Sequence, residues 1–167
     1  MGKRSNFERR ERDFYPTPIE AVWPLLPHLP KSVSFYEPCS GEGHLIKHLE
    51  LAGHKCFGAS DIASEAPKDA TTDTFHGDFD CFITNPPWDR DVLHPLIHNL
   101  RVQKPTILLF DADWMHTRQS QEYMVFCTTI VSVGRVKWIP DSLYTGKDNC
   151  CWYVFNSTKT ITRFIGR

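Results

Sequence analysis

Val33-Ser34-Phe35-Tyr36, then Glu37-Pro38-Cys39-Ser40-Gly41-Glu42-Gly43, then His44 to Ala52 is the stretch of this chain that decides its fold. The first four residues read as a strand, the next seven as a glycine-rich turn, and the last nine as an amphipathic helix closed by Gly53. A strand passing through glycines straight into a helix opens an α/β rhythm, and the chain keeps it. Lys55 to Ser60 and Cys81 to Thr84 read as strands, Asp91 to Leu100 as a helix with Val92, Leu93, Leu96, Ile97 and Leu100 inward, and Thr106 to Asp111 as a strand. Ser120 to Phe126 is expected as a helix and Thr129 to Val133 as a strand. Val136 to Ile139 and Cys151 to Asn156 are expected as an antiparallel hairpin around Gly146-Lys147-Asp148-Asn149. Upstream, Thr17-Pro18-Ile19-Glu20 combines a capping box with proline at the first helical position, and Pro24, Pro27 and Pro30 keep that helix short.

The 167 residues suit one domain. Met1 to Asp13 form a charged arm with five Lys or Arg diluted by Glu8, Glu11 and Asp13, and residues 14–167 form the domain, with no stretch left for a separate target-recognition domain. A formal net charge of -1 gives the whole molecule no attraction to a polyanion, so nucleic-acid binding requires a local basic surface. The six cysteines form no CxxC pair and no cleavable leader precedes them, which points to a reducing cytoplasm without zinc site or disulfide framework. His44 and His48 have helical spacing but no carboxylate or cysteine company, so no metal is assigned. No apolar run is long enough to span a bilayer, and a soluble protein is expected.

The turn at 37–43 excludes two common ligand classes. A dinucleotide fingerprint needs a third glycine where Ile46 stands, and a pyrophosphate would meet Glu37 and Glu42; no Gly-Lys-Ser/Thr follows for a P-loop. A ligand bearing a sulfonium and an ammonium suits acidic surroundings, and S-adenosylmethionine is such a ligand. Glu37, Pro38, Cys39, Gly41 and Gly43 are therefore candidate cofactor contacts. Asp61, ending the second strand, can take both ribose hydroxyls or serve as a helix cap. An adenine-edge contact is expected from Asp73, Asp69 or Asp78, with Asp73 put forward. Asn85-Pro86-Pro87-Trp88 follows the strand Cys81 to Thr84, where an Asn side-chain carbonyl and a Pro backbone carbonyl can accept both hydrogens of a planar amine and an indole can stack on its ring. In a doubly wound sheet, loops at the carboxyl ends of the strands at the switch point meet across one crevice, and the turn at 37–43 and the tetrapeptide at 85–88 are expected on its two sides, with the methyl donor opposite the acceptor amine.

The ordered trio Asp13-Phe14-Tyr15-Pro16-Thr17-Pro18, Glu37 to Gly43 and Asn85-Pro86-Pro87-Trp88 resembles the class I amino-methyltransferases of DNA, which act on adenine N6 or cytosine N4. The short chain looks like the compact examples carried by bacteriophages. The resemblance covers Asp13 to about Asn156. It implies a Rossmann-like doubly wound, mostly parallel seven-stranded sheet of order 3-2-1-4-5-7-6, Tyr15 and Thr17 at the methionine end of the cofactor, Asn85 near both cofactor and acceptor, and adenine N6 of DNA as the expected acceptor. The base must leave its duplex stack or already be single stranded, with Trp88 replacing the lost stacking. Cys39 lies in the cofactor loop rather than the catalytic loop, so a covalent thiol route to cytosine carbon 5 is not expected.

Trp114, in Asp111-Ala112-Asp113-Trp114, either shapes a base pocket or packs in the core. Arg135, Lys137, Trp138, Tyr144 and Lys147 either track a nucleic-acid backbone or form a solvated hairpin. The alternatives to a DNA enzyme are an RNA adenine or protein glutamine methyltransferase, and a catalytically silent cofactor-binding partner protein.

Overall fold

The computed structural model describes residues 15–139 and 145–167. The arm, Asp13-Phe14 of the upstream motif, and Tyr144 lie outside the described residues. The chain order is α1 (Ile19–Val22), β1 (Ser34–Glu37), α2 (His44–Leu51), β2 (Lys55–Ala59), β3 (Cys81–Thr84), α3 (Arg90–Gln103), β4 (Thr106–Asp111), α4 (Gln121–Met124), β5 (Cys127–Arg135), β6 (Asn149–Phe155) and β7 (Arg163–Ile165). One seven-stranded sheet has the order β2-β1-β3-β4-β6-β5-β7. The β2–β1, β1–β3, β3–β4 and β5–β7 ladders are parallel, and β6 is antiparallel to both its neighbours.

Strand alternation sorts the core onto the two faces of this sheet. Phe35, Cys81, Ile83, Ile107, Leu109 and Trp152 pack with Ala21 and Val22 of α1 and Leu45 and Leu49 of α2. Their sequence neighbours Phe82, Leu108, Phe110, Cys151 and Tyr153 pack with Leu93, Leu96, Ile97 and Leu100 of α3. Burial on both faces explains why β3 and β4 read as unbroken apolar runs. The Trp152 indole N–H donates to the Ala21 carbonyl at 2.7 Å, pinning α1 to the centre of the sheet.

Three expectations are corrected. The order matches 2-1-4-5-7-6, but no strand forms between β2 and β3; the seventh strand is β7, on the opposite edge. Residues 61–80 contain Pro67, Gly77 and several aspartates, with no alternating run to pair against β2. Side chains of α3 satisfy this segment's backbone instead: Asn99 Nδ2 donates to the Ala70 and Asp73 carbonyls, Gln103 Nε2 donates to the Asp73 carbonyl, and Gln103 Oε1 accepts from the Phe75 N–H. Second, Val136–Trp138 is not a strand, and the hairpin is made by β5 and β6. Gly134 adopts φ 87° at a register shift in that ladder, and the chain leaves the sheet just beyond it. Third, the capping box does not form: Pro18 rather than Thr17 is the N-cap of α1, so there is no side-chain cap hydrogen bond, and the Thr17 hydroxyl accepts from Asn85 instead.

Candidate functional site

A cleft of about 670 Å³ opens beyond the carboxyl ends of β1, β2 and β3. Backbone bonds between two strand ends shape its floor. Ser60 N–H donates to the Glu37 carbonyl and Ser40 N–H to the Ser60 carbonyl, each at 3.0 Å, so the glycine turn is tied to the end of β2. Gly41 and Gly43 have φ 48° and 74°, the left-handed region, and Gly43 caps α2 from that conformation. A Cβ at Gly43 would meet only Ile46 at 3.9 Å, so backbone conformation rather than space requires glycine there.

Asp61 spans the turn from the other side, its Oδ2 accepting from Gly41 N–H and its Oδ1 from Ala63 N–H, both at 2.9 Å. Each carboxylate oxygen keeps a further lone pair for a ligand. Glu37 is 2% exposed, and its Oε2 has no hydrogen-bond partner. Burial, reinforced by the Asp61 charge, holds its carboxyl well above the usual carboxylate range. Burial also pushes the Cys39 thiol up to about 12, so it stays protonated and is no nucleophile at neutral pH. Six carboxylates line the cleft, from Glu37, Glu42, Asp61, Asp69, Asp89 and Asp91, against the cationic or titratable Lys68 and His44. That balance favours a cationic ligand and opposes a pyrophosphate.

On the far wall Asn85 is held at both ends of its amide. Its Nδ2 donates to the Thr17 hydroxyl at 3.2 Å, and its Oδ1 accepts from the Trp88 indole N–H at 3.3 Å. An indole N–H only donates, so Trp88 must face the oxygen and thereby sets the polarity of the amide. Asp89 then caps α3, its side chain accepting from the Asp91 N–H at 2.9 Å, so the tetrapeptide is stretched between a buried strand and a helix start.

The cleft brings together Tyr15, Thr17, Glu37, Pro38, Cys39, Gly41, Asp61, Asn85 and Pro87. Gly43, Asp73, Pro86 and Trp88 do not line it. Asp73 is corrected: its Oδ2 accepts from the Asp69 N–H at 2.8 Å within a turn, and it is Asp69 that faces the cleft. Asp78 is exposed and away from the cleft. Trp88 packs edge-on to Trp138, with ring centroids 5.6 Å apart and an interplanar angle of 85°. Trp114 is corrected from nucleic-acid contact to core: it is 2% exposed, donates its indole N–H to His94 Nε2 at 3.0 Å, and packs on Phe110 and Tyr153. Arg135, Lys137 and Lys147 are exposed. Sequence reasoning misses Lys68, Asp89, Asp91 and Val92 in the cleft wall; the capping signal of Asp89 ahead of α3 could have found the last three. Among the described residues no group of three or more His, Cys, Asp or Glu is arranged to hold a metal ion, and no helix is long and apolar enough to cross a membrane.

No protein-family model matches the chain, and no curated protein matches it in sequence. Solved structures do match in fold. A candidate RNA methyltransferase from Pyrococcus horikoshii has a TM-score of 0.64 and 15% identity, over 90% of this chain and 88% of that one. A dimethyladenosine transferase from Plasmodium falciparum has a TM-score of 0.54 and 16% identity, over 86% of this chain and 62% of that one. A modification subunit of a candidate type I restriction enzyme from Vibrio vulnificus has a TM-score of 0.55 and 12% identity, over 92% of this chain and 47% of that one. The chain therefore has the Rossmann-like fold that these methyltransferases share.

Proposed function

We propose that this chain is an S-adenosylmethionine-dependent methyltransferase acting on an exocyclic amine of a nucleobase, adenine N6 in DNA. One observation carries the proposal: the buried Glu37 carboxyl, whose Oε2 has no partner, and the doubly held Asn85 amide line the same cleft. A carboxyl buried without a partner is costly unless a ligand supplies a cation or donor, and the residues around it fit an ammonium-bearing nucleoside cofactor. Glu37 would take the ammonium, Asp61 the ribose hydroxyls and Asp69 the adenine edge, with Pro38, Cys39, Gly41 and Gly43 shaping the turn and Tyr15 and Thr17 closing the methionine end. When bound, the cofactor supplies an electrophilic methyl group on a sulfonium.

The chain's own residues then act on the acceptor. The free lone pair of Asn85 Oδ1 would accept one hydrogen of the amine, and the backbone carbonyl of Pro86, behind the cleft wall in the unliganded protein, would accept the other once the base is bound, favouring a pyramidal nitrogen whose lone pair is available for in-line attack. Pro87 stiffens that loop, and alignment of donor and acceptor in one cleft contributes the rest without a strong base. A Cys39 adduct is no part of this route, since its thiol is protonated. Arg135, Lys137 and Lys147 are the proposed contacts to the polymer.

Two of the fold neighbours carry names that refer to RNA or to dimethyladenosine, and one is named as a modification subunit of a type I restriction enzyme, so the experiment must separate polymers. Purified protein is incubated with methyl-labelled cofactor and separate DNA, RNA and protein pools, and the labelled pool is digested for nucleoside mass spectrometry. The expected product is N6-methyl-deoxyadenosine. Label only in protein would refute a nucleobase acceptor, and N6-methyladenosine from RNA alone would move the proposal to RNA.

A further inference from the structure

The carboxyl-end edge of the sheet changes sign along its length. Its β2-β1-β3-β4 half carries Glu37, Asp61, Asp89, Asp91, Asp111 and Asp113, with Lys68 and Arg90 as cations among them. The β6-β5-β7 half carries Arg135, Lys137, Lys147 and Arg167, all exposed, against the exposed carboxylate of Asp148 just before β6. Strand direction puts them there: β5 is antiparallel to β6, which is antiparallel to β4, so β5 ends on the same edge as β4. β7 runs parallel to β5, so the residues after Ile165 reach that edge too.

Gly134 seats the last of these residues. A Cβ there would lie 2.7 Å from Arg167 Nη1 and 3.2 Å from its Cζ, so the guanidinium rests where a side chain would otherwise stand. The φ of 87° at Gly134 also favours glycine. Beyond it, Gly146 N–H donates to the Val136 carbonyl at 2.8 Å, which holds the Lys137 and Lys147 segments side by side. A Cβ at Gly146 would stand 3.0 Å from Trp138 Cδ1, and Trp138 in turn packs against Trp88. These contacts lead from the Lys137 and Lys147 segments to Trp88, whose indole N–H meets Asn85. Among the described residues, no carboxylate pairs with Arg135, Lys137 or Arg167.

We infer that Arg135, Lys137 and Arg167 form the track that carries the phosphate backbone of the nucleic acid to the Trp138–Trp88 pair, with Arg167 a phosphate ligand seated by Gly134. This rests on the nucleobase-amine proposal above. On the other half of the edge carboxylates outnumber cations, whereas on this half Arg135, Lys137, Lys147 and Arg167 outweigh Asp148, so a polyanion is held here while its base reaches Asn85.

The test uses fluorescent single-stranded and duplex DNA oligonucleotides, with binding measured across a salt series for the wild type, Arg167→Ala, Arg135→Ala, the double variant, and Lys31→Ala on the opposite edge of the sheet. Each lost phosphate contact should lower the slope of log affinity against log salt by about 0.7–0.9, and the double variant by about twice that. Lys31→Ala should behave as wild type, and melting curves check that every variant is folded. A folded double variant that keeps the wild-type slope overturns the track, as does a wild type that binds neither oligonucleotide at low salt. Methyl transfer to the same DNA, assayed in parallel, separates the two claims. Wild-type transfer with an unchanged double variant sinks the track alone, and binding that follows the expected slopes without transfer to any nucleic acid sinks the proposed activity alone.

Discussion

Glu37 is held in a state that a bound cation would relieve. Its folded carboxyl keeps its proton to higher pH than an unfolded one, so from the ordinary value of 4.5 upward the folded state binds more protons than the unfolded state. Stability of the unliganded protein should therefore fall as pH rises through that window. Glu37→Gln should flatten this decline and leave the melting temperature at pH 7 equal to or above that of the wild type. It should also weaken S-adenosylmethionine binding by roughly tenfold or more, the scale of a lost charged hydrogen bond. Thermal melts with and without cofactor read both effects; a variant that is less stable alone yet binds the cofactor normally would contradict this role. Trp88 poses a second question at this scale, because its N–H rather than its ring face is what meets Asn85. Trp88→Phe keeps an aromatic ring and loses the donor. Turnover should fall by about five- to tenfold with cofactor affinity unchanged. Equal turnover would mean that ring packing alone suffices.

At the level of elements, α3 does more than cover one face of the sheet. Its first residues line the cleft, and Asn99 and Gln103 near its end hold the 61–80 segment that supplies Lys68, Asp69 and Thr71 to the wall. Asn99→Ala strips the Ala70 and Asp73 carbonyls of a shared donor. It should cost about 1–3 kcal/mol, or several degrees in melting temperature, and loosen cofactor binding although the residue is remote from the ligand. Unchanged cofactor affinity in calorimetry would show that the wall stands without it. This segment is also where sequence reasoning stops. The bounds of β3 and β4 are legible to the residue because each apolar run is bracketed by polar or proline positions, and α3 is legible from its spacing. The missing strand beside β2 is not, since what decides it is Asn99 and Gln103 reaching across from another element. β7 is equally opaque: three residues, Arg163 to Ile165, carry no pattern of their own and are strand only because β5 offers an open edge.

For the whole molecule, topology performs the step that makes the site. Parallel β1 and β3 are adjacent, so the turn after one and the tetrapeptide after the other face a common cleft. That meeting is legible from sequence because spacing and strand polarity suffice for it. The choice of Asp69 over Asp73, the burial of Trp114 against His94, and the grip of Trp88 on the Asn85 amide are not legible, since each depends on which hydrogen-bond partner lies nearest in three dimensions. Charge is likewise a property of the whole edge: a net value of -1 hides one half richer in carboxylates and another richer in cations. The most direct test of the central claim is the single-turnover rate of methyl transfer to DNA by Asn85→Ala, with cofactor affinity measured on the same preparation. The rate should fall by roughly a hundredfold or more, as expected for loss of a preorganised electrostatic partner, while cofactor affinity stays within about threefold of wild type. Near wild-type transfer by the folded variant would contradict the account.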